Sequence, residues 1–139
     1  MFHIENNKKM KTPTHLSHIP IIGVDDYNLI DGKHAGLDTD AKALSVGLAS
    51  YDKKHRKEVA VKIFRNVNNK WSRQSEELPI HRNLDLTILI LSILKKENID
   101  INGFNKKEIN SNKIDELIQE LSDPIIIERI NEIKRIINL

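Results

Sequence analysis

Two alternating segments joined by a polar tip constrain this chain most. Between Lys42 and Ser50, Leu44, Val46 and Leu48 fall on one face, with Ala43, Ser45, Gly47 and Ala49 on the other. Between Glu58 and Arg65, Val59, Val61 and Ile63 face one way and Lys62 is among those facing the other. Strand side chains alternate with period two, so both segments read as strands, and DKKHRK between them closes a β-hairpin. The small residues on the second face of the first strand leave room for a helix or a ligand to approach closely. A further short strand is expected at Ile19 to Val24, IPIIGV, bounded by Pro20 and Asp25.

The second half carries a different period. Leu84, Leu86, Ile88, Leu89, Ile90, Leu91, Ile93 and Leu94 make Ile80 to Lys96 apolar almost all round, the pattern of a central buried helix, with Pro79 just before or at its first turn. Lys113 to Leu121 has Ile114, Leu117, Ile118 and Leu121 at helical spacing, with Asn112 as the expected N-cap. A last helix opens on Asp123 as N-cap and Pro124 as first residue, and carries the stripe Ile126, Ile130, Ile133, Ile137. The pattern predicts an α+β fold: a small antiparallel sheet built on the hairpin, packed against a central buried helix, with two C-terminal helices. Those helices either complete the layer or form a homodimer seam; the stripe is too short for an autonomous coiled coil.

A chain of 139 residues suits one domain. Its expected extent is 13–139, with a helical part from 98 onward, after a leader over 1–12 that lacks periodicity. The absence of cysteine excludes disulfides, thiolate metal sites and a cysteine nucleophile. The start MFHIENNKKMK has no secretory apolar region and no run is long enough for a bilayer, so a cytoplasmic protein with no membrane partner is expected. The net charge of +2 conceals an asymmetry: five Asp against Lys33 in Asp25 to Asp40, then eight Lys or Arg against Asp52 and Glu58 up to Arg73. The basic stretch is either a solvated hairpin tip or an anion-attracting surface. No aromatic pattern interleaves it, which argues against sequence-specific nucleic-acid recognition.

Chemistry concentrates in Trp71 to Asp85, WSRQSEELPIHRNLD. Arg73 and Arg82 suit a bidentate grip on phosphate or carboxylate, unless Glu76 and Glu77 pair with them internally. Gln74, Glu76, Glu77 and His81 could fix a ligand's orientation. Trp71 would stack on a ring or close the hairpin. Asp85 stands alone among apolar neighbours and is expected to accept hydrogen bonds from His81, Arg82 or the preceding loop. His81 with Asp85 behind it would make a general base, though no nucleophile is singled out. In the acidic loop Asp31, His34, Asp38 and Asp40 offer ligands suited to Mg²⁺ or Mn²⁺, but their spacing matches no EF-hand pattern and turns demand Asp as well; no metal or cofactor is assigned. The phosphate-loop, dinucleotide, zincin and serine-hydrolase motifs are all absent.

The segments HLSHIPIIGVDDYNLIDG, TDAKALSVGLA and KWSRQSEELPIHRNLDL, in this order, resemble a family of small uncharacterised bacterial domains whose signature is WSRQSEELPIHR. The likeness covers His15 to Leu94, with Thr39 where Ser would be expected. It implies a bacterial or phage origin and a compact α+β domain; it transfers no activity. The leading expectation is therefore a module binding a small polar or anionic, nucleotide-like ligand through the Trp71–Asp85 motif, with sequestration of that ligand as a variant. The alternatives are a hydrolase using His81 and Asp85, and a protein-interaction module whose motif is a structural polar network.

Overall fold

Register converts the alternating pattern into two unlike sheet faces. The structure, a computed structural model, describes residues 10–52, 54–73 and 75–139. Strands β1 (Ile19–Val24), β2 (Ala41–Leu48), β3 (Val59–Val67), β4 (Lys70–Trp71) and β5 (Glu77–Pro79) form one antiparallel sheet in the order β1-β2-β3, and both β4 and β5 pair with β3. Helices α1 (Ile80–Lys95), α2 (Ile114–Leu121) and α3 (Pro124–Ile137) follow, so the fold is α+β. The chain divides into two compact units, 1–84 and 85–139, with the division inside α1.

In the sheet unit the small-residue face is the buried one. Ala41, Ala43, Ser45 and Ala49 are buried, as are Ala60, Lys62 and Phe64 on β3, whereas Val46, Ile22 and Val24 of the opposite face are exposed. The close approach anticipated over β2 is made by a strand backbone. A Cβ at Gly47 would lie 2.1 Å from the Ile19 carbonyl oxygen and 2.8 Å from Pro20 Cα. Proline is tolerated in β1 because the strand lies at a sheet edge. A bulge between Pro20 and Ile22 then shifts the register.

Two further segments are defined by their pairing with β3. The turn from β3 to β4 consists of Asn68 and Asn69, both at positive φ (53° and 66°), between the paired Val67 and Lys70. A two-residue turn with both central residues in the left-handed region matches strand twist, and asparagine tolerates that region. Glu77–Pro79, inside the polar motif where no strand was expected, is a strand opposite Ala60 to Lys62. Three residues are too few to show a period. Of the leader, residues 1–9 lie outside the described residues, but Thr12 is held in place. Its amide and hydroxyl donate to Asp25 Oδ1 at 2.7 and 2.6 Å, and the Asp26 amide donates to the Met10 carbonyl at 2.9 Å.

In the helical unit, Lys96 at φ 55° ends α1, and the Glu97 amide donates to the Ser92 carbonyl at 2.9 Å, a Schellman closure. The Lys106 ammonium donates to that same Ser92 carbonyl at 3.2 Å, a cation at the negative end of a helix. Ser92 is the one buried residue of α1, so the complete burial suggested by its composition is not reached; Leu84, Leu86 and Ile90 are exposed. Asp123 caps α3 as expected, its carboxylate accepting the Ile125 amide at 2.9 Å, with Pro124 first in the helix. Asn112 is not a cap: it sits inside a 3-10 turn, Ser111–Lys113, that leads into α2. Leu121 and Ile130 are the buried anchors of α2 and α3. No helix among the described residues is long and apolar enough to cross a membrane.

Candidate functional site

Strand register lines up a polar row across the buried face. Ser45 on β2 lies opposite Lys62 on β3, and Lys62 lies opposite Glu77 on β5. His18, just before β1, completes the row: its Nδ1 meets Glu77 Oε2 at 2.8 Å and its Nε2 meets Ser45 Oγ at 2.9 Å. A carboxylate only accepts, so Nδ1 carries a proton. Glu77 also accepts the Ser50 amide at 3.0 Å and the Ser50 hydroxyl. Burial by itself would raise the Glu77 pKa. The hydrogen bonds from Ser50 and His18, with the charge of Lys62, outweigh it and hold the carboxyl below its ordinary value. Hydroxyl, imidazole and carboxylate are connected here as in a proton relay. Ser45, however, is 4% exposed on an interior strand and does not border the adjoining cleft, so the set acts as a lock between β1, β2 and β5.

Aromatic packing continues the row. Phe64, fully buried, meets the His18 ring edge-to-face at 5.6 Å and the Trp71 ring edge-to-face at 6.0 Å. Trp71 thus takes the hairpin-closing role of the two open to it, set there by the tight turn that pairs it with Asn66. The Lys62 ammonium lies 5.5 Å from the Phe64 ring centroid.

Beside this row Arg65 ties the motif to the acidic loop. Its Nε and Nη2 donate to the two Glu76 oxygens at 2.8 and 2.6 Å, and its Nη1 pairs with Asp40. Asp31 of the same loop accepts the Thr39 hydroxyl at 2.7 Å. Hydrogen bonds from Arg65 lower the Glu76 pKa from 4.5 to about 2. A carboxyl whose folded pKa is depressed contributes stability that is fully present above its unfolded value and lost as the pH falls through its folded value. Because this pair is half exposed, it is worth no more than about 1 kcal/mol. The stability difference between the parent and Glu76→Gln should therefore be constant above pH 4.5 and shrink toward pH 2. Urea midpoints measured across that range check this; a difference independent of pH would remove the ion pair from the account.

On the other side of the row opens a cleft of about 690 Å³, lined by His15, His18, Ser50, Tyr51, Lys62 and Arg73 together with Leu16, Ser17 and Ser72. Among the described residues, Lys62 and Arg73 are the Lys and Arg side chains that face it and no carboxylate does, since Glu77 is turned into the lock. Lys62 is 8% exposed, and its ammonium has no hydrogen bond or ion pair among the described residues. Tyr51 is near enough to Arg82 to feel its charge. Burial, and then its hydrogen bond to Glu58, raise the phenol's pKa.

The residues read from the motif therefore separate. Arg73 borders the cleft, Glu76 and Glu77 are occupied internally, and Trp71 packs on Phe64. His81 and Arg82 are exposed in the first turn of α1, and Gln74 lies outside the described residues. Asp85, half-buried, has no hydrogen bond or ion pair among the described residues, where partners were expected.

A model of a protein family matches residues 10–100, well over half of the chain. The chain belongs to DUF6530, a family of unknown function. No curated protein and no solved structure matches it. The DUF6530 match spans every strand, the lock and the cleft, and leaves α2 and α3 outside. The sequence did not point to His18, Ser50, Lys62 and Tyr51 as partners of the Trp71–Asp85 segment. Lys62 gave a signal: a lysine on the small-residue side of an alternating strand must be buried there or face a cavity. His18 gave none, because its partners are Glu77 and Ser45, 59 and 27 residues away.

Proposed function

We propose that this DUF6530 domain binds a small anionic ligand, phosphate-bearing or nucleotide-like, in the cleft between His15 and Arg73. The observation that carries this reading is Lys62, a lysine 8% exposed that borders the cleft and has no acceptor among the described residues. A buried ammonium without an acceptor is costly, and an anion in the cleft would supply one. Arg73 adds a fork-shaped donor on the same wall, with His15 and Tyr51 as further polar groups. Arg82 contributes charge at the Tyr51 side. The lock formed by His18, Glu77, Ser45 and Ser50 keeps the floor rigid, so little ordering is required on binding.

The test is calorimetric titration of the full chain with pyrophosphate and AMP, alongside Arg73→Ala. Losing one charge-assisted contact of about 1.5–3 kcal/mol should weaken binding roughly ten- to a hundredfold. The exposed position of Arg73 should leave the melting temperature unchanged. Equal affinity in parent and variant would remove Arg73 from the site, and no heat with either anion would overturn the reading.

A further inference from the structure

We propose that Lys62 is a carbonyl-capturing amine, condensing with the aldehyde group of a phosphate-bearing ligand to form an imine in the cleft. This rests on the anion reading of the same cleft and adds the chemistry of the ligand's second group. Lys62 projects from the middle of β3, held by paired strands on both sides, so its amine starts from a rigid base. It borders the cleft together with Arg73, and a ligand anchored by its phosphate at Arg73 would be presented to the amine.

The surroundings suit a nucleophile. An exposed lysine stays protonated and attacks carbonyls poorly, whereas a desolvated one holds more of the neutral amine. Burial pushes the Lys62 pKa down, opposed by the charges of Glu77 and Glu76. Neither carboxylate forms an ion pair with Lys62, because Glu77 is bonded to His18 and Ser50 and Glu76 to Arg65. The balance is that of simple condensation. The amine nitrogen attacks the carbonyl carbon to give a carbinolamine; a C=N bond then forms as the C–O bond breaks, releasing one water, with no change of oxidation state.

The experiment incubates the full chain with pyridoxal 5′-phosphate as probe, reduces with borohydride, and maps adducts by peptide mass. In parallel, pyrophosphate binding is measured by calorimetry. The expected result is an adduct concentrated at Lys62, well above the exposed Lys54 and Lys57, lost in Lys62→Arg and diminished in Arg73→Ala. The exposed Arg73 variant keeps the test valid should Lys62→Arg not fold. Pyrophosphate binding with labelling spread evenly over Lys54, Lys57 and Lys62 overturns the imine and leaves the anion reading standing. Absence of pyrophosphate binding overturns the anion reading separately.

Discussion

Replacing Glu77 with alanine is expected to destabilise the protein by about 3–5 kcal/mol, the range for breaking a buried charged network from one side. A domain typically has about 5–15 kcal/mol in total, so much of the soluble protein should be lost. The loss arises from the groups left behind. His18 Nδ1–H, the Ser50 amide and the Ser50 hydroxyl all lose their acceptor, and Lys62 loses the opposite charge that acts on it most strongly. Glu77→Gln keeps the shape and one acceptor and should cost less. Urea denaturation of the three proteins measures this; a loss below about 1 kcal/mol for Glu77→Ala would show the network to be unimportant for folding. The pH dependence follows from the depressed Glu77 carboxyl. Its contribution is complete above the ordinary carboxylate range and disappears as pH falls through the lower folded value, so Glu77→Gln should flatten the acid limb.

Gly47→Ala should be as damaging, for a reason unrelated to charge. The added Cβ would stand 2.1 Å from the Ile19 carbonyl oxygen and 2.8 Å from Pro20 Cα, both backbone, so β1 must move off β2. Because β1 follows directly on His18, displacing it also pulls the imidazole from Ser45 and Glu77. A cost above about 4 kcal/mol is expected, with loss of cooperative melting. Gly103→Ala is the control: nothing lies within 4 Å of its Cβ, and only its φ of +87° penalises alanine, by about 1 kcal/mol. Similar melting curves for the two variants would mean that β1 yields easily.

Much of the local structure could be read from the chain. The limits of β1 at Ile19 and Val24 and the capped start of α3 at Asp123–Pro124 follow from residues adjacent in sequence. So does the alternation of β2 and β3. Elements that draw their definition from a partner could not be read in this way. β5 is a strand only because β3 offers it an edge, and Asn112 loses its capping role to a 3-10 turn. The candidate site was half legible. Arg73 and Lys62 have chemistry visible in the sequence, but Glu76 and Glu77 could be assigned only once their partners Arg65 and His18 were known.

By itself the sequence determined the family, the α+β class and the location of its polar chemistry, because periodicity, capping and charge are local properties. Tertiary structure alone decided that the small-residue face of β2 is the buried one. It also decided that His18 crosses to Glu77 and that Lys62 opens onto a cleft with no carboxylate among its described lining residues. Those outcomes depend on strand register, which brings together residues tens of positions apart. A one-residue shift in register would send every one of these side chains to the other face.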